Sequence, residues 1–280
     1  MIKSEFILKS EKGRDFLCDV RYLKDGIHKP VILFVHGFKG FKDWGHFNLI
    51  ANYFAERGFV FLKINLSHNG TNIEHPKDFV DLDAFGNNNF SIELDDVGTL
   101  IDYIFSKNSV ILKNEIDLDK LSLIGHSRGG GLVLLKTAED SRVKKVVTFA
   151  AIHDLEKRWP QSFIDDWKEK GVQYIYNGRT EQNMPLYYQL VEDFEQNRDR
   201  LNIPERVKSI NVPLLITHGT EDETLDVSMA KELTSWNEKA ELFIINDANH
   251  VFGGKEPCDE VILPIHTEKL VERTLEFLNS

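Results

Sequence analysis

Lys120-Leu121-Ser122-Leu123-Ile124-Gly125-His126-Ser127-Arg128-Gly129-Gly130-Gly131 is the stretch on which the reading of the whole chain turns. Leu121, Leu123 and Ile124 make a short buried strand. An apolar helix follows from Arg128 to about Ala138, carrying Leu132, Val133, Leu134 and Leu135. Between them, Gly125-His126-Ser127-Arg128-Gly129 fits the Gly-x-Ser-x-Gly pattern of a sharp strand-to-helix turn that exposes a serine. A serine on such a turn is held in a strained backbone conformation. Side chains at its flanking positions would collide with the neighbouring strand and helix, and glycines at 125 and 129 remove those collisions. The turn also brings the Ser127 hydroxyl near a helix N-terminus, where free N–H groups favour negative charge. Taken alone, the pentapeptide also describes an ordinary glycine-rich helix start. The strand before it and the helix after it are the context that gives it meaning.

Outward from this turn, strands and helices alternate. Upstream, Pro30-Val31-Ile32-Leu33-Phe34-Val35 is a continuous apolar run ending at His36-Gly37-Phe38-Lys39-Gly40, as expected of a strand buried on both faces. Phe47 to Ala55 has helical spacing and stops at Gly58, and Phe59 to Asn65 reads as the next strand. Phe90 to Phe105 is a helix with Leu94, Val97, Leu100, Ile101 and Ile104 on one face. Downstream, Lys145–Ala150, Val212–Gly219 and Glu241–Ile245 read as strands, with helices at about 228–236 and 266–279. Residues 4–22 alternate like an antiparallel hairpin at a sheet edge. The rhythm is that of an α/β protein with a mostly parallel central sheet and helices on both faces. It breaks between about 152 and 205, which reads as a small cap-like insertion after the sixth strand, within a single domain of residues 1–280. There Val172–Tyr176, Asn177-Gly178 and Thr180–Leu186 suggest a hairpin with a favoured two-residue turn, and Pro185 to Asn197 suggests a helix. The long polar connection from Ser67 to Asn89 is expected to shape a surface or a site rim.

Composition narrows the function classes. The 280 residues carry a formal net charge of -11, which argues against a nucleic-acid or anionic-membrane binder, since both need basic patches. No apolar run approaches the ~18 residues that would span a membrane, and the N-terminus lacks the apolar core of a signal peptide. Cys18 and Cys258 are far apart and outside any Cys-x-x-Cys, so neither a disulfide scaffold nor a thiolate metal site is expected, and a reducing cytoplasm fits. No metal and no organic cofactor is called for. The oligomeric state is not legible.

A serine hydroxyl needs a base to take its proton and an acid to orient that base. In open α/β sheets the useful positions are loops at the carboxyl ends of strands. After the strand ending at Gly219 stand Glu221, Asp222, Glu223 and Asp226; Asp222 is the candidate acid, Glu221 the second choice, and the rest a solvated loop. After the last strand, His250 is the candidate base, while His266, near the final helix, reads as structural. The backbone N–H of Arg128 and that of Phe38 are the candidate donors for a developing oxyanion, with His36 bracing their loop. Phe38, Trp159, Tyr174 and Tyr176 are the candidate aromatic lining of a substrate pocket, although the aromatics of the insertion could equally pack on the main body.

On these residues the chain resembles the α/β-hydrolase-fold serine hydrolases over essentially its whole length. The motifs are Val35-His36-Gly37-Phe38, Gly125-His126-Ser127-Arg128-Gly129-Gly130, His218-Gly219-Thr220-Glu221-Asp222 and Ala248-Asn249-His250-Val251-Phe252-Gly253, in the family's order. Within the fold it is most similar to the dienelactone-hydrolase-like and cinnamoyl (feruloyl) esterase-like branch. Many of those relatives carry Arg-Gly-His-Gly after the fourth strand, where this chain has Ser67-His68-Asn69-Gly70. The resemblance implies a carboxylic ester hydrolase acting on a small molecule through an acyl-enzyme on Ser127. Two other readings stand beside it. One is an aminopeptidase or amidase on the same triad, with Asp165, Asp166, Glu181, Glu192 and Asp193 as candidate amine ligands. The other is a catalytically silent binding scaffold.

Overall fold

The computed structural model describes residues 1–155 and 159–280; residues 156–158 of the expected insertion lie outside them. The chain runs β1 (Ile2–Lys9), β2 (Asp15–Tyr22), β3 (Lys29–Val35), α1 (Phe47–Glu56), β4 (Val60–Ile64), α2 (Leu82–Gly86), α3 (Phe90–Phe105), β5 (Ile116–His126), α4 (Arg128–Glu139) and β6 (Val143–Phe149). Then come α5 (Gln161–Lys170), β7 (Val172–Asn177), β8 (Gln182–Tyr187), α6 (Gln189–Gln196), α7 (Arg198–Leu201) and α8 (Ile203–Ser209). The chain closes with β9 (Leu214–Gly219), α9 (Ser228–Ser235), β10 (Ala240–Ile245) and α10 (Ile265–Asn279).

Eight strands form one sheet in the order β1-β2-β4-β3-β5-β6-β9-β10. The expected hairpin, β1 and β2, lies antiparallel at one edge, and β4, β3, β5, β6, β9 and β10 run parallel to one another. The unbroken apolar run of β3 has a simple cause. Successive residues point to opposite faces, and both faces are covered. Val31, Leu33 and Val35 join the core under α3, α4 and α8, whereas Ile32 and Phe34 join the core under α1 and α10. The α/β-hydrolase fold expected from the motifs is the fold observed.

Between β6 and β9 the chain leaves the main sheet and forms the two-stranded β7–β8 sheet with its flanking helices. Two local expectations change here. The hairpin forms, but Asn177 pairs with Gln182, so the turn spans the four residues 178–181 instead of Asn177-Gly178. Asn177 Oδ1 accepts the Arg179 N–H at 3.2 Å, and Glu181 takes the left-handed conformation with φ 54°. The side chain of Asn177 thus starts the turn and its backbone stays in the strand. Pro185 is a strand residue opposite Tyr174, and the helix expected from residue 185 begins at Gln189. No helix among the described residues is long and apolar enough to cross a membrane.

Candidate active site

Ser127 sits between β5 and α4 with φ 56° and ψ −118°, a conformation that costs an L-residue ~1–3 kcal/mol. Four backbone hydrogen bonds hold it there. Its N–H donates to the Phe149 carbonyl at 2.8 Å, and its carbonyl accepts from Gly130, Gly131 and Ile152 at 3.0, 3.3 and 3.2 Å. The flanking glycines are required by contact. A Cβ on Gly125 would lie 2.2 Å from the Gly129 carbonyl oxygen, and one on Gly129 would lie 2.3 Å from that of Val35.

The parallel strands bring the other two candidates to the same end of the sheet. The Ser127 hydroxyl lies 3.0 Å from His250 Nε2, and His250 Nδ1–H donates to Asp222 Oδ2 at 2.8 Å. Asp222 is the acid that reaches the histidine, while Glu221 is exposed and contributes its N–H to the Ala248 carbonyl. The second oxygen of Asp222 accepts the N–H groups of Thr224 and Leu225, both at 2.8 Å. Burial alone would raise the Asp222 pKa. The His218, His250 and Leu225 hydrogen bonds outweigh it and hold the carboxyl well below the usual carboxylate range. His266 lies at the start of α10, outside the cleft.

Three histidines that the sequence reading left at the margin are built into this arrangement. His126 packs against the His250 ring at 4.9 Å, tilted by 51°, and donates from Nε2 to the His250 backbone carbonyl at 2.9 Å. Burial, helped by the nearby His250, lowers its pKa to about 3, so it stays neutral. His218, fully buried on β9, places Nε2 3.0 Å from Asp222 Oδ2 and 2.9 Å from the Leu225 carbonyl. His36 does brace its loop, as expected. Its Nδ1–H donates to the Gly37 carbonyl at 2.8 Å, and its Nε2 accepts the Leu66 N–H at 3.3 Å. Sequence position signals only His36, within its loop; the roles of His126 and His218 become recognisable once strand ends are placed together.

The Gly37 carbonyl also accepts the Gly40 N–H at 3.1 Å. A planar trans peptide points its N–H opposite its carbonyl, so these two bonds turn the Phe38 N–H away from His36. Among the described residues neither the Phe38 nor the Arg128 N–H has an acceptor, and both residues line the cleft beside Ser127. Asn69, from the Ser67-His68-Asn69-Gly70 segment, donates to the Gly40 carbonyl at 3.2 Å and ties this loop to the connection after β4. The Arg128 side chain is engaged elsewhere, donating from Nε to Glu93 Oε2 at 2.8 Å in a buried ion pair.

The cleft has a volume of about 490 Å³. Phe38, Trp44, Phe47, Ile152, Leu225 and Val251 supply apolar wall, and Ile175 and Asn177 reach it from β7. The other aromatic candidates lie elsewhere. Tyr174 and Tyr176 occupy the alternate face of β7 and are 61% and 58% exposed to solvent. Trp159 packs at 6.3 Å on Phe163 and 5.2 Å from Trp167, away from the cleft. None of Asp165, Asp166, Glu181, Glu192 and Asp193 lines it. Among the described residues, the carboxylates close enough to share a cation are Glu5, Asp19 and Asp43. The Lys42 and Lys63 ammonium groups already sit between them.

Comparison with solved structures finds the same fold in several proteins described as esterases. Est1E from Butyrivibrio proteoclasticus with ferulic acid bound is 16% identical, matches 98% of this chain and 97% of its own, and superposes with a TM-score of 0.71. The esterase Pf2001 of Pyrococcus furiosus is 14% identical over 99% and 92% of the two chains, with a TM-score of 0.64. The esterase domain of a Rhodothermus marinus protein is 19% identical over 90% and 91%, with a TM-score of 0.60. These likenesses are likenesses of fold. No protein of curated function matches the sequence. The family model of the prolyl oligopeptidase family matches residues 45–262, which hold the elbow, the acid loop and the histidine loop; the chain belongs to the prolyl oligopeptidase family.

Proposed function

We propose that the protein is a serine hydrolase that cleaves a carboxylic ester. The observation that carries this reading is the chain Ser127 Oγ, His250, Asp222, at 3.0 and 2.8 Å, opening on a cleft with two unengaged N–H groups. Ser127 attacks the ester carbonyl as His250 Nε2 takes its proton. Asp222 holds the imidazole in the tautomer with Nδ1 protonated and stabilises the cation that forms. The Phe38 and Arg128 N–H groups receive the oxyanion. His250 returns its proton to the leaving alcohol, then activates the water that releases the acid and restores the hydroxyl.

The family's name points to a second reading, a peptide bond. The cleft favours the ester. A site that grips a free amine needs a carboxylate, and none lines this one among the described residues. Comparing nitrophenyl esters with matched free-amine peptide amides on the purified protein separates the two; greater efficiency on the peptides would reverse the assignment.

The first test is a fluorophosphonate probe, read beside Ser127→Ala. Wild type is expected to label and the variant not to, with ester hydrolysis falling at least about 10³-fold. A folded wild type that does not label would overturn the proposal. Asp222→Asn is expected to leave the fold intact and lower kcat about 10⁴-fold, because the imidazole loses the acceptor that sets its tautomer.

A further inference from the structure

The protein as a whole carries a net charge of -11, yet the cleft beside Ser127 is lined by Lys39, Arg128 and Arg179 and by no carboxylate among the described residues. Arg128 is neutralised by Glu93. Lys39 and Arg179 are not neutralised. Among the described residues neither the ammonium nor the guanidinium meets a carboxylate, and the Arg179 guanidinium rests over the rings of Phe79 and Phe41 at 5.3 and 5.5 Å. Both residues line the same cleft. Half-burial lowers the Lys39 pKa, and the Arg179 charge lowers it further.

Elsewhere the same chain pairs its buried cations, whereas Lys39 is half-buried and Arg179 exposed at the mouth of the cleft. Lys29, Lys42, Lys63, Arg128 and Lys136 all meet carboxylates. Two unpaired like charges lining one apolar cleft repel one another, and an anion between them is favoured. Lys39 follows Phe38 directly, and Arg179 sits on the turn of the β7–β8 hairpin that also sends Ile175 and Asn177 into the cleft. An anion held by both would therefore belong to a molecule already within reach of Ser127.

We infer that the substrate is an ester that carries a second, anionic group, a carboxylate or phosphate, seated between Lys39 and Arg179. The inference rests on the ester-hydrolase reading for the reaction but not for the binding. Its test compares mono-(4-nitrophenyl) glutarate with neutral 4-nitrophenyl pentanoate on wild type, Lys39→Gln and Arg179→Gln. The ratio of kcat/KM, charged over neutral, is expected to be about tenfold or more in wild type. It should fall at least fivefold in each variant and decline with added salt. Competition by glutarate against inorganic phosphate tells which anion the site prefers. A wild-type ratio at or below one, or a ratio unchanged in both variants, overturns the inference. Calorimetric titration of Ser127→Ala with the charged ester reads binding without turnover. Weaker binding after adding Arg179→Gln supports the anion site even if no ester is hydrolysed, and equal binding of the charged and neutral esters overturns it.

Discussion

His36 touches no reacting atom, yet both its ring nitrogens are committed, one to the Gly37 carbonyl and one to the Leu66 N–H. Burial lowers its pKa to about 4, so the donor at Nδ1 and the acceptor at Nε2 persist across the neutral range. Removing the ring leaves the Gly37–Phe38 peptide held by the Gly40 N–H alone, so the Phe38 N–H is aimed less firmly at the cleft. His36→Ala is expected to lower kcat about 10²-fold with KM changed by less than about threefold, as for loss of one oxyanion donor. Steady-state kinetics on a nitrophenyl ester, with a melting curve to show that the variant is folded, check this. A proportional rise in KM with unchanged kcat would show that His36 supports binding and not the oxyanion. At this scale the meeting of Ser127, Asp222 and His250 was legible, because each follows a recognisable strand end. His126 and His218 were not, since their roles depend on partners 124 residues away in one case and on a buried register in the other.

Among the elements, α3 and α4 meet through the buried Glu93–Arg128 pair, with Asn88 donating to the other Glu93 oxygen at 2.7 Å. Arg128 is also the first residue of α4, so this pair anchors the start of the helix that carries the elbow. A buried ion pair adds little net stability over an apolar pair, but removing one partner strands the other. Glu93→Ala is expected to destabilise the protein by about 3–5 kcal/mol, measured as a shift in the denaturant midpoint. The parallel strands and the helices α1, α3, α4, α9 and α10 were readable from periodicity, down to the limits of α3, while the short α2, α7 and α8 and the insertion's α5 were not. The β7–β8 region was not. Alternation along a strand assigns residues to two faces without saying which one looks at the cleft, so the conspicuous tyrosines, 174 and 176, were chosen over Ile175 and Asn177. The turn was misplaced for a related reason: Asn177 starts the turn through its side chain while its backbone remains paired with Gln182.

For the molecule as a whole, one buried acid sets a slope in stability with pH. Asp96 on α3 accepts the Ser67 N–H at 2.7 Å through one oxygen, and its other oxygen is buried without a partner. Burial raises its pKa to about 7, with Glu93 and Asp95 adding to the effect against the Ser67 hydrogen bonds. From about pH 4 to pH 7 the folded protein keeps this proton while the unfolded chain releases it, so Asp96 makes stability fall as pH rises through that window. Asp96→Asn, which keeps an acceptor for Ser67, is expected to be more stable than wild type by about 2 kcal/mol above pH 7, the difference vanishing near pH 4. Chemical unfolding at a series of pH values measures it, and a constant difference between the two proteins would rule out titration of Asp96 as its source.

The bond from His126 to the His250 carbonyl has a mechanical meaning. Ser127 and His126, which grips the His250 backbone, are consecutive, so one rigid turn serves as the reference point for both the hydroxyl and the imidazole. The loop carrying His250 can then vary in length and composition beyond that grip without setting the spacing between oxygen and imidazole. Alignment is inherited from the most constrained part of the chain, and the surrounding loops are left free to change what the cleft accepts.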